Sequence, residues 1–318
     1  MMKKLLTILT VGILLSITAC DNEGTSDDSS ESNSENGAIV NESLPTVDRA
    51  GNAIDVPENI ETIVSLAPAI TQVIEDLDAL DRLVAVDTFS IFSVAGLDDL
   101  LQFDMMLIDL EQLLLLNPDV IFASEISFGM DADIFAPLID AGVLVVKIPT
   151  SNSIDAIAED VQFIADVLGL HAQGHALASE MQARIAEIRA IGATIAEPRT
   201  VLFEISPSPY IFSFGSGVFL NEMIEIVGAQ NILANEIGWL PVSEEIVVYN
   251  NPDVILTNVS FLDDPVQEIL IRDAWQGISA VANGDVHQIT EDFTSLPNHR
   301  IIEGLGEMAR AIYPEYFE

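Results

Sequence analysis

The string Asn-Pro-Asp-Val-Ile occurs twice, at residues 117–121 and 251–255, and it constrains the fold more than any other feature of the chain. Aligned on it, Glu111-Gln-Leu-Leu-Leu-Leu-Asn-Pro-Asp-Val-Ile121 runs beside Glu245-Ile-Val-Val-Tyr-Asn-Asn-Pro-Asp-Val-Ile255, every pair offset by 134 residues. In each copy an aliphatic-rich helical stretch stops before proline, which lacks an N–H and biases the preceding residue away from helix. Aspartate then leads into a continuous apolar run of the kind that forms a buried parallel strand. Two copies of one helix–turn–strand unit imply two related lobes, each presenting a glutamate at the same place.

The rest of the body follows the same alternation. Residues 62–66, 83–86, 119–123 and 143–148 read as strands, with helical stretches at 69–80, 109–116 and 134–141 between them. Such alternation indicates a parallel sheet covered on both faces. Residues 153–168 and 171–194 then read as two helices with no strand between them; Ala178, Met181, Ile185 and Ile188 recur at helical spacing in the second. After Pro198 a second alternating set begins, with strands at 200–205, 253–257 and 285–289. The expected organisation is a signal segment (1–20), an acidic tether (21–45), a first lobe (46–170), a connecting helix (171–194) and a second lobe (195–318).

Charge and composition exclude several classes of function. The chain has 51 acidic and 11 basic residues, a formal net charge of −40, yet 49% of it is apolar. A disordered acidic chain would lack that apolar content, and so few basic residues do not make a nucleic-acid face. A single cysteine excludes an intrachain disulfide framework and a cysteine-rich metal site. Lys3 and Lys4 precede an apolar run, Leu5 to Ile17, that is short for a bilayer span of about 20 residues; this is the shape of a secretory signal. Its end, Ile17-Thr18-Ala19-Cys20, resembles the lipobox of bacterial lipoproteins, which implies lipidation at Cys20. Residues 21–45 hold seven acids, no base and many Ser, Asn and Gly, and read as a flexible, self-repelling tether. Beyond residue 45 the body carries 44 acids against 9 bases, net −35.

Over essentially the whole body the chain resembles the substrate-binding proteins of ABC importers for ferric siderophores, haem and cobalamin. The resemblance is carried by Asp48-Arg-Ala-Gly-Asn-Ala-Ile-Asp-Val-Pro57, by Thr62-Ile-Val-Ser-Leu-Ala-Pro68 and by both Asn-Pro-Asp-Val-Ile copies. Gly228-Ala-Gln-Asn231, Trp239-Leu-Pro-Val-Ser-Glu-Glu245 and Arg300 to Phe317 extend it. It implies an α/β fold of two Rossmann-like lobes with parallel sheets joined by a long backbone helix, with the ligand held in the cleft between them. It also implies one surface glutamate per lobe that pairs with arginines of the membrane permease; by motif position these are Glu111 and Glu245, and charge-assisted carboxylate–guanidinium bonds suit that task. The implied partners are the permease with its cytoplasmic ATPase. The implied location is the outer face of the bacterial cytoplasmic membrane, with a lipid anchor.

Ligands of open parallel sheets meet the loops at the carboxyl ends of strands. The candidate loops are 66–71, which holds Pro68, then 87–92, 124–129, 149–153, 206–219 and 291–300. Tyr210, Phe212 and Phe214 alternate at strand spacing and either line the cleft or belong to the sheet core; Trp239 reads as a loop residue facing the cleft. Lys147 and Arg300 are the cations expected near strand ends on the cleft side. Two cations do not make a cradle for a strongly anionic complex, so the expected ligand is neutral or weakly charged, a hydroxamate-type ferric siderophore or a corrinoid, with no separate cofactor. A rival is a binder of bare zinc or manganese ions, for which His171 and His175 supply half a site at helical spacing; as two exposed helix histidines they supply none. An enzyme is not expected. No nucleophile–base pair is apparent, and Phe214-Gly-Ser-Gly217 lacks the lysine of a phosphate-binding loop.

Overall fold

The computed structural model describes residues 44–128 and 134–317. The signal segment, Cys20 and the tether up to residue 43 lie outside the described residues, as does Gly129. The first lobe runs β1 (Ile63–Leu66), α1 (Pro68–Asp76), β2 (Leu83–Asp87), α2 (Ser90–Ser93), β3 (Leu101–Phe103), α3 (Leu110–Leu116), β4 (Val120–Ser124), α4 (Glu125–Phe128), α5 (Ala136–Asp140) and β5 (Leu144–Ile148). Its strands form one parallel sheet in the order β3-β2-β1-β4-β5. Strand residues alternate between two apolar clusters: Ile63, Phe122 and Val146 enter one, Val64, Leu66 and Ile121 the other. Both faces are therefore covered, which is why the strands read as unbroken apolar runs.

Helices α6 (Ile154–Val167) and α7 (His171–Gly192) follow. The second lobe runs β6 (Thr200–Glu204), β7 (Phe212–Phe214), α8 (Phe219–Ile226), β8 (Gln230–Asn231), β9 (Trp239–Pro241), α9 (Glu244–Asn250), β10 (Val254–Thr257), α10 (Pro265–Leu270), α11 (Ser279–Asn283), β11 (Val286–Gln288), α12 (Asp292–Ser295) and α13 (Ile301–Ile312). Its parallel sheet has the order β11-β10-β6-β8, and β7 and β9 form a separate antiparallel ribbon.

The repeated string builds the same junction in both lobes. Asp109 and Ser243 cap α3 and α9, accepting from the backbone N–H of Gln112 and Ile246. Asn117 and Asn251 end these helices in the left-handed region, both at φ 46°, a conformation asparagine tolerates better than most residues. Asp119 Oδ2 then accepts from Thr62 N and Thr62 Oγ1, both at 2.9 Å. Asp253 Oδ2 accepts from Thr200 N at 2.9 Å and Thr200 Oγ1 at 2.8 Å. Each aspartate pins the head of the neighbouring strand, β1 or β6, and so fixes the register of the central parallel pair.

The two lobes share more than one helix. On α6, Ile154, Ile157 and Ala158 enter the core of the second lobe, whereas Val161, Ile164 and Ala165 enter that of the first. On α7, Met181 and Ile185 join the second core and Leu177 packs against the first. A β-carbon at Gly174 would lie 2.3 Å from the Cβ of Ala165, so glycine permits the close approach of α7 to α6. A division at residue 170 with a lone connecting helix therefore simplifies what the chain does: the connector is an antiparallel helix pair with one buried face divided between two cores.

Candidate functional site

In the first sheet the strand order reverses between β1 and β4, and chain leaving the carboxyl ends of those two strands diverges to leave a crevice. A cavity of about 760 Å³ opens there and extends to the second lobe. Ala67, Pro68 and Ile70 after β1, Ser124 and Ile126 after β4, and Pro149 to Ser151 after β5 form part of its wall. Val161 and Ile164 of α6 add to it, while Ser260, Phe261 and residues 295–298 close the side contributed by the second lobe.

Aromatic side chains reach the cavity because backbone hydrogen bonds aim their loops. Asp87, buried at the end of β2, accepts from the N–H groups of Phe89 (2.8 Å) and Ser90 (3.1 Å) and from the Ser90 hydroxyl. Ser90 Oγ in turn meets Thr71 Oγ1, which donates to Ser65 Oγ. This buried polar chain sets α2, whose Phe92 lines the cavity while 81% exposed; Phe89 and Phe261 line it too and are largely exposed. Burial pushes the Asp87 carboxyl above its usual range, partly offset by the bonds from Ser90 and Phe89. The Ser124 hydroxyl on the wall is buried and has no hydrogen-bond partner among the described residues.

The charge lining the cavity is of one sign. Asp160, Glu291 and Asp292 are on the wall, and among the described residues no Lys, Arg or His is. Asp160 is balanced from behind: it accepts from Arg49 Nε and Ser151 Oγ, each at 2.5 Å. Glu291 accepts from the Ser260 hydroxyl. Burial pushes the Asp292 carboxyl up, Glu291 pushes it further, and Arg300 acts in the opposite direction.

Pro68 is thus the one expected ligand residue that lines the cavity; the other five stand elsewhere. Lys147 sits in β5, 8% exposed, over the Phe128 ring at 5.5 Å, and its backbone N–H donates to Asp48. Alternation along the strand explains this: Ile148 faces the cavity and its neighbour cannot. Arg300 is an inter-lobe pin. Its Nη2 donates to Glu75 at 2.6 Å and its Nε to Asp76 at 2.7 Å, both near the end of α1. Two preceding residues join it: Asn298 donates to Gln72 Oε1 at 2.6 Å and His299 Nε2 meets Asp76 at 2.6 Å. Burial pushes the Asp76 carboxyl up, but the bonds from His299 and Arg300 outweigh it and hold it well below the usual range.

Trp239 lies in strand β9, not in a loop, and packs edge-on against Phe214 at 5.7 Å. Phe214 is fully buried against Phe203, Phe212 is half-buried, and Tyr210 is exposed in the turn before β7. Loop 206–219 therefore supplies no wall residue. The residues that sequence reasoning passed over are Phe261, Asp160, Glu291 and Asp292 as individuals. The signal for Phe261 was an aromatic just beyond a strand end, and for Glu291 and Asp292 a doublet inside an expected loop; Asp160, inside an expected helix, gave none. His171 Nδ1 lies 2.8 Å from Asp166, and among the described residues no cluster of three His, Cys, Asp or Glu is placed to hold a metal ion. Glu111 and Glu245 both stand exposed in the first turns of α3 and α9.

A family model described as a periplasmic binding protein matches residues 63–293. The chain belongs to that family. It is 30% identical over 281 residues to the uncharacterized ABC transporter substrate-binding lipoprotein YvrC of Bacillus subtilis, covering 86% of this chain and 87% of that protein. It is 26% identical over 275 residues to a cobalamin-binding protein of Halobacterium salinarum, covering 84% and 73%. The crystal structure of a possible iron-binding (periplasmic solute-binding) protein from Staphylococcus epidermidis superposes with a TM-score of 0.71 at 28% identity, over 80% of this chain and all of that one. The chain is accordingly a substrate-binding protein of an ABC importer, from a family of binding proteins and not of enzymes.

Arg300→Ala provides a direct check on the pin. The melting temperature is expected to fall by several degrees, as for a lost buried-edge ion pair, with ligand affinity changed less than about tenfold. An unchanged melting temperature with binding abolished would instead make Arg300 a ligand contact.

Proposed function

We propose that the chain captures a large, neutral or weakly charged metal chelate, a hydroxamate-type ferric siderophore or a corrinoid, in the cavity between its lobes and delivers it to the permease. The observation that carries this reading is the cavity's chemistry: an apolar, partly aromatic wall with three carboxylates and, among the described residues, no cationic side chain. Aromatic and aliphatic walls suit the flat or bulky apolar surface of such ligands. A polyanion would meet repulsion of about 3 kcal/mol per charge pair at ~5 Å in a medium of effective dielectric ~20. This weighs against ferric tris-catecholates and against haem carrying two ionised propionates. The cobalamin-binding relative from Halobacterium salinarum is in keeping with a corrinoid.

Delivery runs through Glu111 and Glu245. Backbone N–H at Glu245 itself and the Ser243 hydroxyl hold the Glu245 carboxyl below its usual range, so it stays ionised for an arginine of the permease. Because the two glutamates ride on separate lobes, the permease meets both only at one lobe orientation. Lipidation at Cys20, with residues 21–45 as tether, keeps the body at the outer face of the cytoplasmic membrane.

Fluorescence-quenching titration with a neutral ferric hydroxamate, cobalamin and a ferric tris-catecholate tests the ligand class. At least one of the first two binds with submicromolar Kd and the tris-catecholate at least about 100-fold more weakly; the reverse order would overturn the reading. For delivery, Glu111→Ala/Glu245→Ala keeps ligand affinity and loses uptake of the labelled ligand. Uptake surviving in the double variant would refute the docking role.

A further inference from the structure

We propose that Leu115 and Tyr249 are apolar knobs of the permease-docking surface, each seating in an apolar socket on the outward face of the permease beside the arginine that receives the neighbouring glutamate. The inference rests on the docking role given to Glu111 and Glu245.

Leu115 is 87% exposed and Tyr249 88%. Scattered exposed apolar residues are ordinary on any surface and by themselves mean nothing. These two differ because they occupy one position of the internal repeat, 134 residues apart like the glutamates. Each follows its glutamate by four residues on a capped helix, so carboxylate and knob share one helix face. The inward face of each helix is satisfied separately by Leu113 and Val247, both fully buried, so the outer pair adds nothing to either core. Side-chain identity differs, leucine in one lobe and tyrosine in the other, while size, apolar character and exposure persist. Other exposed apolar side chains lie nearby in sequence: Met106 and Leu107 ahead of α3, and Ile246 and Val248 on α9.

Charge complementarity identifies the occupant. The body carries 44 acids against 9 bases, so an acidic partner or a second copy of this chain would be repelled at these glutamates. A surface offering an arginine next to an apolar socket, twice, once per lobe, satisfies both halves of the pattern. Exposed ion pairs are weak and are screened within about 10 Å at ordinary ionic strength. Apolar burial is not screened, so knobs retain docking where salt erodes the carboxylate contacts.

The test measures association of the full-length chain, without ligand and with added cobalamin, with its permease–ATPase complex in nanodiscs, at about 0.05 M and about 0.5 M salt, which straddle the range in which screening sets in. Leu115→Ser/Tyr249→Ser is compared with Glu111→Ala/Glu245→Ala, and Leu115→Gln/Tyr249→Gln serves as a second pair with better helix propensity. The expected result is that the knob variants keep the parent's melting temperature, with and without cobalamin, but lose about tenfold or more in association at the higher salt. If the knob variants associate like the parent at both salts while the glutamate variant does not, the knobs are refuted and the docking glutamates stand. If neither variant loses association, the docking reading fails and this proposal fails with it.

Discussion

Close packing of α6 against α7, permitted by Gly174 against Ala165, ties the molecule together. Each helix lends part of its buried face to both cores. A rotation of one lobe relative to the other must therefore disturb a shared apolar interface and not merely flex a linker. At about 1.5 Å of rise per residue, the 22 residues of α7 make a strut of roughly 33 Å. The pin formed by Asn298, His299 and Arg300 on α1 is a second tie, on polar terms. Residues of both ties, Val161 and Ile164 of α6 and Asn298 of the pin, line the cavity, and the glutamates stand on α3 and α9, one in each of the lobes so joined. One constraint thus bears on both the cavity and the proposed docking footprint.

The scarce positive charge is used for this scaffolding. Arg49 holds Asp160 and Glu159, Arg184 on α7 reaches Glu303 on α13, and Arg199 reaches Asp285. Arg272 is buried with Glu204 in a bidentate pair and lies over the Trp275 ring at 4.3 Å. Burial pushes the Glu204 carboxyl up, and Arg272 opposes the shift. Such a pair secures a local geometry more than it adds net stability, because desolvation offsets its attraction. With Arg49, Arg184, Arg199, Arg272 and Arg300 tied to the fold, the cavity wall is left acidic and apolar, the feature on which the proposed preference for a neutral ligand rests.

The fold was legible because its signals were local. Proline after each repeated helix, the apolar strands and the helical spacing of α7 all act within a few residues, and the repeat revealed that the lobes match. The Asp119–Thr62 and Asp253–Thr200 clamps explain why the repeated string includes aspartate. The short strands β3, β8 and β9 carry too few residues to show a period, so Trp239 passed for a loop residue. The site was less legible because it depends on direction as well as position. Lys147 and Ile148 are adjacent in sequence, yet strand alternation sends only Ile148 to the cavity. Arg300 lies in a loop at the cleft, but two carboxylates of α1, more than two hundred residues earlier, claim its guanidinium. No local pattern announces a partner at that separation.

The cavity is proposed to hold a large neutral or weakly charged metal chelate. Native mass spectrometry of the protein purified from its own cell envelope tests it most directly, since the ligand is then chosen by the cell. The expected result is a one-to-one complex whose released ligand is a neutral or cationic ferric hydroxamate or corrinoid. Recovery of a polyanionic complex, an inorganic oxyanion or a bare metal ion would contradict the account.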